Sequence, residues 1–424
     1  MALIKPFRPF HYNTDKLDLS KVVAPPYDVI SEKLQGELYD SSPENIIRLD
    51  LNCESDPYAA AAVELKRMLR ENVLVRDGEP AIYPYFQKFT TIGGDEVTRR
   101  GFVSWIKLEP FEAGVVLPHE HTLSGPKMDR LRLMKATGAS FSQIFSLYGD
   151  QNRVLEKEYD RLESAKPFLQ ARYDNISNTV YRITDAQTVR VFQKLLEHIP
   201  VYIADGHHRY ETALEYQRQA HLENPAAAGD ESYDYIMMYF TNMFDEGLVV
   251  YPTHRIIHSV SSFDRETFLE TVGAKFGLTK CADLNNLVSV LHASGPFAFG
   301  LILPGSRYFL LKLKKTENVL AVIKENLPAP VKRLDVTLLH DVVLDQILGI
   351  SKEAQEKKLN INYTIEKDEV DAAIQSGKGQ IGFLLNPTKV EQVREVADAG
   401  AVMPQKSTYF YPKLLSGLLL SSLK

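Results

Sequence analysis

The sequence predicts a mixed α/β protein of the α+β kind, built in two regions, and three observations predict it. Short apolar runs of strand length alternate with segments of helical periodicity, without a clean strand–helix–strand repeat. Two turn signals, Gly93-Gly94-Asp95 and Pro304-Gly305-Ser306, lie between apolar runs, and each predicts a hairpin. From about residue 261 the alternation becomes more regular, so residues 1–260 and 261–424 read as separate regions, the second with a hairpin-rich sheet.

Each element has its own reason. Residues 21–24 run into Pro25-Pro26, which cannot lie in a central strand, so the chain turns and presents Tyr27 and Asp28 in a loop. Asp56-Pro57 opens a helix, with Asp as the cap and Pro at the first helical position. Residues 73–91 and 97–108 predict strands around the Gly93 turn. A polar, turn-rich stretch covers 118–138, with Asp129 placed to cap a following helix. Then come a charged helix at 153–164, a strand at 179–184 and a helix at 187–198 that stops before Pro200. Residues 201–204 form an apolar strand broken by Asp205-Gly206, with a helix at 210–221 beyond it and strands at 235–242 and 247–251. In the second region, strands at 297–303 and 308–313 flank the Pro304 turn, and 336–348 predicts an amphipathic helix closed by Gly349. Strands at 359–366 and 381–386 bracket a helix at 369–376. Thr388-Lys389-Val390-Glu391 is a capping box for a last helix ending at Gly400.

Composition narrows the function classes. A chain of 424 residues has room for two or three domains. With 44% hydrophobic and 25% charged residues it is neither collagen-like nor disordered. Lys plus Arg number 49 against 55 Asp plus Glu, and a net charge of −6 argues against gripping long nucleic acid through a bulk field. The two cysteines, Cys53 and Cys281, stand in no CxxC, which leaves a disulfide scaffold and a thiolate zinc site without support. Residues 1–10 lack an apolar h-region, and the apolar run at 414–420 is far short of the ~18–20 residues of a span. The expectation is a cytoplasmic protein without a membrane partner.

Four constellations bear chemistry. In Asp205-Gly206-His207-His208-Arg209 a strand breaks into a helix whose first turn carries three potential cations. Cations are disfavoured at the positive end of a helix, so their presence there asks for an anion, which the backbone at Gly206 can approach closely and Arg209 can fork. The alternative is Asp205 as a plain N-cap with solvated cations. The stretch 117–130 holds His119, Glu120, His121, Lys127, Asp129 and Arg130. It fits a phosphate-handling loop with Glu120 as base, with a two-histidine metal pair or a solvated loop as alternatives; its spacing is not that of HExxH. His254-Arg255 follows a strand and reads as an addition to the anion site or as a surface turn; Lys406-Ser407-Thr408 lies in a proline-fixed loop and reads as a substrate-side contact or as packing.

Together with Val23-Ala24-Pro25-Pro26-Tyr27-Asp28-Val29-Ile30, His119–Lys127 and Met403–Thr408, the 203–214 segment resembles the prokaryotic family known as domain of unknown function 1015. Locally, Asp205–Arg209 is also similar to the phosphate-binding motif of the ParB/sulfiredoxin superfamily, which includes free-serine kinases and nucleotide-hydrolysing DNA clamps. That resemblance implies a ParB/sulfiredoxin-like core with a large insertion in residues 1–260, the catalytic region, and a loop contributed to the site by residues 261–424. It implies a small-molecule kinase that moves phosphate from a nucleotide or pyrophosphate to a hydroxylated metabolite such as free L-serine, with Mg²⁺ accompanying the nucleotide. In that reading Glu120, Asp28 and His119 are catalytic. Asp205, Gly206, His207, His208, Arg209, Lys127 and Arg130 hold phosphate, and His254, Arg255, Lys406, Ser407 and Thr408 face the acceptor. The alternative is a nucleotide-binding regulatory or DNA-associated protein of the ParB type, for which no helix-turn-helix or basic face stands out. A metal-dependent hydrolase on His119 and His121 lacks a third ligand. A homodimer stays open.

Overall fold

A computed structural model describes residues 1–120, 124–227, 229–314, 319–323 and 326–424. The chain is mixed α/β, with several sheets, and divides into two compact units. The first comprises Met1–Pro118, the described part of Thr122–Val249, and Pro412–Lys424. The second comprises Val250–Tyr411 with His119 and Glu120. The border between these units falls at 249/250, and the last thirteen residues belong to the first unit.

In the first unit nine strands share one sheet: β1 (Ile4–Lys5), β2 (Tyr83–Thr90), β3 (Glu96–Lys107), β4 (Val116–Leu117), β5 (Ile144–Tyr148), β6 (Leu169–Tyr173), β7 (Ile176–Val180), β8 (Val201–Asp205) and β9 (Tyr235–Asn242). Their order is β4-β8-β5-β9-β3-β2-β7-β6, with β1 beside β3. β2 and β3 form the expected hairpin around Gly93-Gly94. Most pairs are antiparallel, but β5/β9 and β4/β8 are parallel, a mixture that the connections through helices permit. Besides the helices Glu32–Ser41 and Ile47–Asp50, the unit contains α1 (Pro57–Arg70), α2 (Ser124–Thr137), α3 (Glu156–Glu163), α4 (Ala186–Leu196) and α5 (His207–Glu223). Asp56 caps α1 through the Ala59 N–H, as its Asp-Pro start predicts. Phe102, Tyr159, Phe192, Ile203, Tyr210 and Phe240 belong to one buried cluster. Each such side chain contributes about 1.5–3 kcal/mol by leaving water.

One expectation is corrected here. The stretch read as turn-rich loop from 118 to 138 is helical over Ser124–Thr137. Pro126 falls in the first turn, where its missing N–H costs nothing, and Leu131, Leu133 and Met134 are buried. Lys127 and Arg130 therefore project from a helix.

The second unit holds an antiparallel sheet of six strands: β10 (His254–Ile257), β11 (Phe276–Cys281), β12 (Ala298–Leu303), β13 (Arg307–Leu313), β14 (Ile361–Thr364) and β15 (Ile381–Leu384), ordered β11-β13-β12-β15-β10-β14. The Pro304-Gly305-Ser306 turn joins β12 to β13 as predicted. The helices α6 (Arg265–Lys275), α7 (Leu284–Ala293), α8 (Lys367–Gln375) and α9 (Val390–Asp398) complete it, and Leu287, Leu291, Val370 and Ile374 pack with Ile302 of the sheet. The amphipathic helix expected at 336–348 begins as an α-helical turn, Asp335–Leu338, and continues as a π-helix, Leu339–Ile347. Thr388, expected to cap the last helix, instead donates its hydroxyl to the Ser407 carbonyl at 2.7 Å.

Candidate functional site

The turn out of β8 is built from its sequence outward. Pairing of β8 with β5 shifts register between Ile203 and Asp205, a local irregularity at the strand's end. Gly206 then adopts φ +94°, and α5 begins at His207. A Cβ at Gly206 would stand 2.9 Å from both Nε and Nη2 of Arg209, so this backbone and this arginine position need glycine. Gly206, the N-cap residue, offers no side chain to cap the helix, whose start carries the positive end of the helix dipole.

Asp205 is not an N-cap; it is an ion-pair centre. Its Oδ2 accepts from Arg209 Nη2 at 2.9 Å, and its Oδ1 accepts from Lys413 Nζ. Arg209 Nη1 also donates to Ser142 Oγ at 3.0 Å and to the Gln143 carbonyl at 2.7 Å. The three charged side chains are only 12–17% exposed. Asp205 thus gathers two cations beside the positive end of α5. His207 is buried, and the His208 carbonyl accepts the Thr212 hydroxyl at 2.6 Å.

A second ion-pair cluster lies alongside. Arg130 Nη1 donates to Asp50 Oδ1 at 2.9 Å and to the Asp50 carbonyl, while Nε and Nη2 reach Asp129. Its guanidinium stacks 4.1 Å from the Tyr27 ring centre. Burial disfavours the charge on Arg130, yet Asp50 and Asp129 hold its pKa above the ordinary arginine value. Ser416 donates to Asp50 Oδ2 at 3.1 Å. Tyr27, Asp50, Arg130, Ser142 and Arg209 line one cavity of about 30 Å³. Burial lifts the Tyr27 phenol to about 12 despite Arg209, so it stays protonated at neutral pH. A cavity of that size takes a water but not a phosphate, so an anion reaching Arg209 must take over the place of Asp205 or Ser142. Lys127 pairs with Glu211 of α5, and Asp28 is exposed on the 3-10 turn Tyr27–Val29.

The structure therefore brings together Arg130, Asp205, Gly206 and Arg209 with the Tyr27 loop, and it sets Lys127 on the neighbouring helix. Three participants were missed: Asp50, Ser142 and Lys413. Only Lys413 left a signal, as a cation directly after Pro412, five residues beyond the Lys406-Ser407-Thr408 loop.

The remaining predicted residues belong to the second unit, and the 118–130 segment is divided: Glu120 goes with that unit, Lys127 and Arg130 with the first. Glu120 Oε1 accepts the Lys406 N–H at 2.9 Å. Lys406 sits at φ +56°, and Ser407 hydrogen-bonds the Pro404 carbonyl at 2.5 Å. His119 is fully buried, with Nε2 3.0 Å from Thr408 Oγ1 and its ring edge-on to Phe410. Burial pushes the His254 imidazole down to about 3, and its Nδ1 accepts the Leu385 N–H at 3.2 Å. Arg255 is 1% exposed; it donates to the carbonyls of Thr253 and Lys406 and lies 3.3 Å from His340 Nε2. Burial brings its guanidinium down to about 10. These are the residues read from the sequence as catalytic (His119) and acceptor-facing (His254, Arg255, Ser407 and Thr408). These side chains are buried and matched to internal partners, and a neutral His254 offers no cation. His121 lies outside the described residues. Among the described residues no three His, Cys, Asp or Glu side chains group to hold a metal.

A family model described as "Protein of unknown function (DUF1015)" matches residues 4–337. No curated protein sequence matches the chain. Among solved structures, a conserved hypothetical protein from Pyrococcus furiosus is similar at 15% identity and a TM-score of 0.37, over 76% of this chain and 95% of that one. A free serine kinase in complex with AMP is similar at 15% identity and a TM-score of 0.35, over 74% of this chain and 92% of that one. C-terminally truncated SbnI from Staphylococcus aureus follows at 8% identity and a TM-score of 0.35, over 76% and 89%. Among the described residues no helix is long and apolar enough to cross a membrane.

Proposed function

The chain belongs to the DUF1015 family of proteins of unknown function, and we propose that its first unit binds the phosphates of a nucleotide or pyrophosphate and passes a phosphoryl group to the hydroxyl of a small metabolite, free L-serine being the first acceptor to test. The observation that carries this reading is the convergence of Arg209 and Lys413 on the single carboxylate of Asp205 beside the helix start at Gly206. Two cations gathered on one carboxylate beside a helix N-terminus are charged donors that an incoming anion can share.

Phosphoryl transfer asks the protein mainly for positioning and charge neutralisation. In this proposal an incoming phosphate displaces Asp205 from Arg209 and Lys413, and the backbone around Gly206 approaches the phosphate oxygens. Lys127 and Arg130, on α2, add positive charge nearby. Mg²⁺, when bound, would supply neutralisation of phosphate charge. With no cluster of three ligands among the described residues, Asp205 would be a single protein contact to an ion carried mainly by the nucleotide and water. Asp28, exposed on the turn beside Tyr27, is assigned to accept the acceptor's proton. Glu120, engaged by the Lys406 N–H in the second unit, is the second choice.

The test is incubation of purified protein with Mg²⁺ and ATP, ADP or pyrophosphate against a panel of hydroxylated metabolites, with products read by mass spectrometry. A phosphorylated acceptor formed only with protein and donor supports the reading. Donor binding without transfer to any acceptor would favour the regulatory, nucleotide-binding alternative.

A further inference from the structure

The second unit holds a cavity of about 290 Å³ whose wall combines polar and apolar groups. This is at the small end of ligand pockets, roughly 300–1,000 Å³, and suits a metabolite smaller than a nucleotide. Three of its polar groups sit on consecutive turns of one helical segment. Thr337 is 2% exposed, and its hydroxyl has no hydrogen-bond partner among the described residues. A buried hydroxyl left unmatched is costly, and such groups mark places where a ligand or water completes the bonding. His340 follows; its Nε2 faces Arg255 Nε at 3.3 Å, which places the ring proton on Nδ1. Burial and the Arg255 charge keep this imidazole neutral.

Asp341 is the third. Its carboxylate is 6% exposed, yet its contacts are sparse: Gln346 donates to Oδ2 at 3.1 Å, and Lys352 Nζ stands 3.8 Å from Oδ1, beyond hydrogen-bond reach. A buried carboxylate with so little compensation favours an added cation. Lys352 itself is 45% exposed, at the rim of the cavity. His340 and Asp341 lie in the π-helix Leu339–Ile347, a winding with poorer hydrogen-bond geometry that recurs at functional sites. Across from this polar side, Leu327, Val331, Val402, Met403 and Pro404 supply an apolar wall.

We infer that this cavity binds a free α-amino acid with an apolar side chain, its ammonium on Asp341, its carboxylate on Lys352 and the Thr337 hydroxyl, and its side chain against the Leu327–Met403 wall. The inference stands on the second unit alone and is independent of the phosphate site. Isothermal calorimetry of the full chain with L-leucine, L-methionine and L-valine should give saturable binding. N-acetyl-leucine, without the ammonium, and isoamylamine, without the carboxylate, should bind at least about tenfold more weakly. Asp341→Asn should weaken leucine binding by about tenfold or more. Because a buried change can disturb folding, Lys352→Met at the exposed rim serves as the second variant; it should lose a similar factor with an unchanged melting curve. Absence of saturable binding by all three amino acids would overturn the inference. So would equal binding of the acetylated ligand, a preference for L-serine over all three, or full affinity in both variants.

Discussion

Lys413 and Asp205, 208 residues apart in sequence, form an ion pair at the turn into α5. The pair ties the returning C-terminal segment to the strand–turn–helix that the sequence marks as an anion site. Asp205 thereby gathers both cations of the turn, since its other oxygen holds Arg209.

Lys413→Met tests that gathering. It removes one of the two cations that Asp205 gathers. Donor affinity, measured by calorimetry, should fall about tenfold, the size of one charge-assisted contact, and the melting temperature should fall as well, because the pair is only 14% and 17% exposed and Asp205 loses a buried partner. Wild-type affinity would place the phosphate elsewhere.

Gly206→Ala acts on the backbone. An alanine at φ +94° is strained by about 1–2 kcal/mol, and its Cβ collides with the Arg209 guanidinium. The melting temperature should drop by about 2–6 °C, and donor binding should weaken more than that loss explains. A variant with intact stability and binding would show that the turn is less constrained than its geometry demands.

Asp28→Asn separates chemistry from binding. If Asp28 accepts the acceptor's proton, turnover falls by roughly 10²–10⁴-fold with donor affinity nearly unchanged. Glu120→Gln keeps an acceptor for the Lys406 N–H and should be nearly silent. The reverse pattern would move the base to Glu120.

Acid should loosen the second unit. Unfolded His254 protonates near 6.5, whereas burial holds the folded imidazole at about 3. Between those values the unfolded chain binds the extra proton, so this stability is full above about pH 6.5 and is lost as pH falls, on the order of 4 kcal/mol in all. His340, also lowered by burial, adds in the same direction. Asp335 opposes them: burial raises its carboxyl to about 6, so the folded chain takes that proton first and gains stability as pH falls from about 6 to 4. Two imidazoles outweigh one carboxylate, and the denaturant midpoint of the second unit should fall between pH 7.5 and 5. In His254→Asn, which keeps an acceptor for the Leu385 N–H, the fall should be smaller. An unchanged slope would contradict the buried-imidazole account.

Local grammar was legible in the sequence wherever one residue type dictates geometry. The hairpins at Gly93-Gly94 and Pro304-Gly305-Ser306, the Asp56-Pro57 helix start and the Asp205-Gly206 turn all follow from φ preferences and capping. The helix Ser124–Thr137 was hidden because polar and charged residues crowd its first half, leaving only a short apolar stripe. The π-helix at Leu339–Ile347 has the same apolar spacing as an ordinary helix, and its winding is set by tertiary packing. Site membership was least legible. Asp50 and Ser142 carry no local pattern, and they join the site only through contacts with Arg130 and Arg209 made far along the chain. Conversely, His254 and Arg255 look reactive in sequence but are sealed inside the second unit, since a strand's pattern does not reveal which polar groups find internal partners.

The most direct test of the central claim is calorimetric titration of Mg²⁺-ATP and Mg²⁺-ADP into wild type and Arg209→Ala. Arg209 meets phosphate charge in the ground state and more of it during transfer, so its loss should lower affinity and turnover together. The account predicts saturable nucleotide binding by wild type, weakened at least about tenfold in Arg209→Ala. Failure of wild type to bind nucleotide or pyrophosphate, or equal affinity in Arg209→Ala, would contradict a phosphate site at the start of α5.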